Sequence, residues 1–218
     1  MLKLKDGERI VFAGDSVTDA GRKRPVGDGL WEGVGNGYVR CVETLLNVCY
    51  PESLFHVVNM GVSGNTSRDL LARWQSDVLD LAPDWVVLCI GFNDVWRWFD
   101  SPSLPGQVTE EEYRSNLEEM IRATLPGVKG LVLMTPYYME TITADARRAR
   151  MDVYGGIVKE TAAKFGLPCV DLQKEMCDYL QYRHSAYLMW DRVHPGWVGS
   201  MLIARAFLRE MGFDRPVI

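Results

Sequence analysis

The sequence predicts an α/β fold in which a parallel sheet is covered by helices on both faces. Three observations carry this expectation. Five short apolar or β-branched runs recur along the 218 residues. Longer amphipathic stretches with helix start and stop signals separate them, and the composition, 47% hydrophobic and 24% charged, is that of a globular chain. Runs that are apolar nearly throughout suit strands buried on both faces. Alternation of such strands with helices implies parallel pairing through right-handed crossovers.

The strand runs are 9–13 (RIVFA), 55–59 (FHVVN), 85–90 (WVVLCI), 130–135 (GLVLMT) and 168–171 (PCVD). Between them, Ser67 is placed to cap a helix over 68–81 that Pro83 ends. Thr109-Glu110-Glu111-Glu112 is a capping box opening a helix to about Leu125, where Pro126-Gly127 stops it. A third helix spans 144–165 before Gly166, and a last one takes Pro195 in its first turn and runs to Met211, with Gly212 behind it. The Gly-rich, charged segment 21–37 (GRKRPVGDGLWEGVGNG) reads as a surface loop beside a site. No repeat or linker divides the series, so one domain over 1–218 is expected. A chain of this size hides roughly 70% of its unfolded surface and needs no disulfide or metal staple.

Charge and cysteine usage narrow the class. Twenty-four Lys and Arg against 29 Asp and Glu give a net charge of -5, which argues against a nucleic acid or an anionic membrane as partner. Five cysteines (Cys41, Cys49, Cys89, Cys169, Cys177) without a CxxC read as free thiols in a reducing compartment, Cys89 and Cys169 inside apolar runs. The opening MLKLKDGERI has charge at five positions and no apolar stretch, unlike a signal peptide, and no later stretch approaches the ~18 apolar residues of a membrane span. A cytoplasmic location is the expectation.

Ligands of such sheets bind at the carboxyl ends of the strands, which directs attention to the residues after each run. Gly14-Asp15-Ser16 lacks the phosphate-loop pattern, and Gly33-x-Gly35-x-Gly37 follows no strand. Three histidines without HExxH or a Cys/His cluster leave no metal site, and no cofactor is expected. Acyl transfer needs a nucleophile, a base, a group that orients the base, and donors for the oxyanion. Ser63, in Gly61-Val62-Ser63-Gly64-Asn65, has Asn where GxSxG requires its last Gly. Ser16 follows the first strand where a turn into a helix exposes its hydroxyl, although a Ser that merely caps a turn reads equally well. His56 lies in an apolar run and reads as a core or sheet-face residue, and His184 lies in a polar stretch. His194 is different. In Asp191-Arg192-Val193-His194-Pro195 a carboxylate three residues upstream is able to fold back onto Nδ1 and leave Nε2 free for a serine proton. Asn93, after the third strand, offers a side-chain amide that donates without titrating, and Gly64 an unobstructed backbone N–H; an ordinary turn and a left-handed kink are their plain alternatives.

Taken together these blocks resemble the SGNH hydrolases, also called GDSL esterases: Gly14-Asp15-Ser16, Gly64 in VSGNT, Asn93 in GFND, and Asp191 with His194 in DRVHP, in that order over residues 9 to about 211. The resemblance implies a flavodoxin-like three-layer α/β/α sandwich with a central five-stranded parallel sheet. It also implies a Ser16 nucleophile, a His194 base oriented by Asp191, and an oxyanion hole from the Ser16 amide, Gly64 and Asn93. Within the family, GDSVTDAGR, VVNMGVSGNT, GFNDVWR, LVLMTPYYME and MWDRVHP are most similar to cytoplasmic acetylxylan esterases, which implies a small acetylated carbohydrate as substrate and a homo-oligomer. Trp96, Trp98, Phe99, Tyr137, Tyr138 and Trp190 lie near these blocks. Among them Trp190, Tyr138 and Trp96 are the candidate sugar contacts, because aromatic faces stack on apolar sugar faces. The rivals are a thioesterase or lysophospholipase with the same triad, or a non-catalytic carbohydrate-binding protein.

Overall fold

The computed structural model describes residues 1–29, 31–100 and 106–215. Five strands, β1 (Arg9–Gly14), β2 (His56–Asn59), β3 (Trp85–Cys89), β4 (Gly130–Met134) and β5 (Cys169–Val170), form one all-parallel sheet in the order β2-β1-β3-β4-β5. This is the flavodoxin-like order, whose switch lies between β1 and β3. Every residue of β1, β3 and β4 after the first is buried, as their uninterrupted apolar runs require.

The described helices are α1 (Ser16–Asp19), α2 (Tyr38–Cys49), α3 (Ser67–Ala72), α4 (Trp74–Asp77), α5 (Phe92–Asp100), α6 (Glu110–Thr124), α7 (Ala146–Phe165), α8 (Leu172–Leu180) and α9 (Trp197–Glu210). The chain leaves β1 toward one edge of the sheet and returns past it toward the other. Right-handed crossovers therefore place α2 on one face and α3, α6 and α7 on the opposite face. Packing agrees: α2 lies against α9 and α9 against α8, while α6 bridges α3 and α7.

Several boundaries differ from expectation, each for a local reason. Thr66, not Ser67, caps α3: its side chain takes the Asp69 amide and the Asp69 carboxylate takes the Thr66 amide. Ser67 is drawn instead to Asp94, to which its amide and its hydroxyl both donate. The helix expected to run to residue 81 breaks at Arg73 into α3, α4 and a 3₁₀ turn over Leu79–Leu81. Pro195 stands before the Gly196 cap, outside α9. Thr109 caps α6 as read, accepting from the Glu112 amide at 3.2 Å.

Helices α2, α5 and α8 escaped the sequence reading. The first follows a Gly cap with no side-chain signal. The second has apolar residues at helical spacing, Phe92, Val95, Trp96 and Phe99, but Asn93-Asp94 at its start reads as a turn. The third is capped by Asp171, a residue that reads in sequence as the end of the run 168–171. His56 is a correction: it is exposed at the open end of β2, while the three residues after it are buried. All five cysteines are free; Cys41 and Cys89 are buried and Cys169 is partly exposed. Among the described residues no helix is long and apolar enough to cross a membrane.

Candidate active site

Ser16 opens α1 directly behind β1, and its short helix begins with Asp15 as cap, Asp15 Oδ1 accepting from the Val17 amide at 3.1 Å. Gly14 permits this turn, since a Cβ there would fall 2.3 Å from the Cys89 carbonyl and 2.4 Å from Thr18 Oγ1. Ser16 Oγ lies 2.8 Å from His194 Nε2, and His194 Nδ1 lies 2.6 Å from Asp191 Oδ2. Asp191 Oδ1 also accepts from the Val193 and His194 amides, both at 2.9 Å, so a single carboxylate shapes the turn and orients the ring. Burial works to raise the Asp191 carboxyl, but these three hydrogen bonds and the imidazole outweigh it and hold it below the usual carboxylate range. The turn is pinned from outside by the Tyr137 hydroxyl, which donates to the Val193 carbonyl at 2.9 Å, and by an ion pair of Arg192 with Glu140 at 2.6 Å.

Gly64 and Asn93 close the other side. Gly64 has φ +84, a left-handed conformation that suits glycine. The Asn93 side-chain amide donates to the Asn65 carbonyl at 3.0 Å, which fixes its orientation and leaves its second N–H available. Ser16, Ser63, Gly64, Phe92, Asn93, Trp96, Arg97, Asp100, Asp191 and His194 line one cleft of about 530 Å³ outside the carboxyl ends of β1 and β3, at the switch in strand order. Ala20, which caps the end of α1 just before the Gly-rich loop, lines it too. That loop is less superficial than its composition suggests, since Arg22 and Val34 are buried within it. Among the described residues no group of three or more His, Cys, Asp or Glu is placed to hold a metal ion.

The aromatics divide. Trp96 lines the cleft. Tyr138 does not: it is buried, its amide and carbonyl both bonded to the Gln173 side chain, and its place in the core removes it from substrate contact. Trp190 is exposed beside Asp191 but is not part of the cleft lining. The aromatic segment 96–105 reads in sequence as exposed and able to serve either substrate enclosure or subunit contacts; its residues 101–105 lie outside the described residues. Ser63 is held away from nucleophilic work, because its hydroxyl and amide both donate to Asp19 Oδ2 at 2.9 Å.

Several supporting residues had no motif to announce them. Arg73 donates to the carbonyls of Gly14 and Met60 and to Asn65 Oδ1, tying the Ser16 strand to the Gly64 loop. Asn59 donates to the Thr18 and Val34 carbonyls and accepts from the Gly61 amide. A polar residue closing an otherwise apolar run was the available signal for Asn59; Arg73 gave none.

Asp15 and Asp94 are buried carboxyls behind the site. Burial, with Asp94 adding to it, pushes Asp15 up to about 8 against the amides of Val17 and Phe92, and burial pushes Asp94 up to about 6 against its bonds from Ser67. An unfolded Asp loses its proton near pH 3.9, roughly. Between that pH and 8 the folded chain therefore holds a proton at Asp15 that the unfolded chain lacks, and stability falls as pH rises. Asp15→Asn keeps the acceptor for the Val17 amide and removes this titration. Urea unfolding between pH 6 and 8 is expected to show a variant slope flatter than wild type by about 1.4 kcal/mol per pH unit. Equal slopes would mean that Asp15 is ionised throughout.

Known proteins share both the sequence and the fold. The chain is 47% identical over 214 residues to an acetylxylan esterase of Geobacillus stearothermophilus, with 98% of each chain covered. The crystal structure of Axe2, an acetylxylan esterase from that organism, matches with a TM-score of 0.95 at 47% identity, covering 98% of both chains. That of LAE5, an alpha/beta hydrolase enzyme from the metagenome of Lake Arreo, Spain, matches with a TM-score of 0.95 at 46% identity, covering 97% of this chain and 98% of the other. The sheet order, the cleft at its switch and the match of residues 12–202 to the family model lead to one assignment: the chain belongs to the GDSL-like lipase/acylhydrolase family.

Proposed function

We propose that the chain is a serine esterase that removes acetyl groups from acetylated xylo-oligosaccharides through an acetyl-Ser16 intermediate. The observation that carries this reading is the alignment of Ser16 Oγ, His194 and Asp191 at 2.8 and 2.6 Å. The substrate class is supported by the likeness to an acetylxylan esterase over nearly the whole chain.

In the first step Ser16 Oγ attacks the acetyl carbonyl while His194 Nε2 takes the hydroxyl proton, the imidazolium being stabilised by Asp191. The carbonyl oxygen becomes an oxyanion held by the Ser16 amide, the Gly64 amide and the Asn93 side chain, each donor worth about 3 kcal/mol. The Ser16 amide suits this role because first-turn amides of a helix have no partner inside it. His194 then gives its proton to the sugar oxygen, which leaves as the alcohol. Water, deprotonated by the same imidazole, attacks the acetyl-enzyme and releases acetate. The route calls for no cofactor.

The groups invoked run from residue 16 to residue 194, so one domain over 1–218 carries the reaction. Five free cysteines support a reducing, cytoplasmic compartment. Exposed Trp197, Val198 and Met201 on α9 support self-association. Arg97, Asp100 and Asp191 in the cleft offer hydrogen-bond partners that sugar hydroxyls use and a fatty-acyl chain does not. A series of p-nitrophenyl esters of rising acyl length, run beside acetylated xylobiose, tests this: highest kcat/KM is expected for the acetyl ester, together with turnover of the sugar. An optimum at about eight carbons or longer would overturn it in favour of a thioesterase or lysophospholipase.

A further inference from the structure

Helix α5 presents Asn93, Trp96, Arg97 and Asp100 to the cleft, positions spaced as one helical face. Asn93 stands at the reacting end. Arg97 lies one turn further on, about 6 Å along the helix axis, which is where the ring bearing an acetyl group must lie once its ester carbonyl is seated at Ser16.

Arg97 Nη1 donates to Asp100 Oδ2 at 2.9 Å. Arg97 Nη2 and Asp100 Oδ1 have no hydrogen bond among the described residues, and Nη2 projects over the Gly64 loop, 3.9 Å from where a Gly64 Cβ would stand. The pair therefore shows the cleft one free donor edge and one free acceptor edge. Similar pairs such as Arg122 with Glu118 stand elsewhere on the surface, where they contribute little; this one lines the cleft.

We propose that Arg97 and Asp100 form a hydroxyl-binding subsite that seats the sugar ring of the acetylated substrate against Trp96, a proposal that rests on the esterase reading above. A sugar hydroxyl both donates and accepts, so two neighbouring hydroxyls satisfy both edges at once with charge-assisted bonds. The pair sums to zero charge, and Asp191 nearby is negative, so the cleft has no excess positive charge to favour a carboxylate or phosphate ligand. Trp96 is fixed as a platform. The Arg147 guanidinium stands 4.8 Å from one of its rings, and the Tyr138 ring packs against it at 6.4 Å. This gives the buried Tyr138 a role in holding Trp96 without touching substrate.

Arg97→Gln and Asp100→Asn test the subsite through a selectivity ratio, kcat/KM on acetylated xylobiose divided by kcat/KM on p-nitrophenyl acetate, which has no sugar. The ratio is expected to fall roughly 10- to 100-fold in Arg97→Gln and by a smaller factor in Asp100→Asn, mainly through a raised KM for the sugar. The ratio in Arg122→Gln, which breaks a pair remote from the cleft, is expected to match wild type. A ratio unmoved in both cleft variants, whether both activities persist or both fall together, overturns the subsite. Wild-type protein that cleaves p-nitrophenyl acetate and leaves acetylated xylobiose intact overturns the sugar reading beneath it.

Discussion

Ser16→Ala is expected to lower kcat for ester hydrolysis by roughly 10⁵- to 10⁶-fold, the scale of losing the nucleophile from a serine triad. The remaining turnover would come from the oxyanion donors and binding alone. Ser16 is half-buried and, among the described residues, the hydrogen bond of its hydroxyl is to His194, so the substitution should leave thermal unfolding within about 0.5 kcal/mol of wild type. Melting curves read beside the kinetics separate these outcomes. A kcat within a hundred-fold of wild type, roughly, would place the nucleophile elsewhere. Ser63 is the obvious alternative in sequence, yet Asp19 holds both its hydroxyl and its amide.

The second large effect concerns Asp191. Its Oδ1 shapes the turn by taking two amides, and its Oδ2 takes the imidazole Nδ1–H. Asp191→Asn retains an acceptor for the amides and turns an NH₂ toward Nδ1. His194 must then accept at Nδ1 and keep its proton on Nε2, where no base remains for Ser16. A fall of about 10⁴ in kcat is expected, with the fold intact. Comparing kcat with the urea midpoint checks this, and a loss below about tenfold would mean that Asp191 serves only the turn.

The strands were legible because burial on both faces leaves an unbroken apolar run, and the reacting residues because they sit immediately behind those runs. Helix α3 was misread at its start because Thr66 and Ser67 are equally good caps locally; the choice is made by Asp94, which claims Ser67. Helix α5 looked like a turn for a similar reason. Gly91-Phe92-Asn93-Asp94 has turn chemistry, which masks the helical spacing of Phe92, Val95, Trp96 and Phe99. The support around the site is the least legible part, because it consists of side chains binding distant carbonyls. Arg73 and the Gly14 carbonyl are 59 residues apart. Tyr137 stands near the site in sequence without a role to announce it; its hydroxyl holds the His194 turn. The acidic balance, read as evidence against a polyanionic partner, is consistent with a cleft whose arginine is already paired.

Covalent labelling tests the central claim most directly. A fluorophosphonate phosphonylates a serine activated by a neighbouring base beside an oxyanion hole, the serine oxygen displacing fluoride from phosphorus. After reaction and proteolysis, mass spectrometry is expected to find one stoichiometric adduct, on the peptide containing Gly14-Asp15-Ser16, and none in His194→Ala. An adduct on Ser63, or full labelling of Ser16 in the His194 variant, would contradict the account.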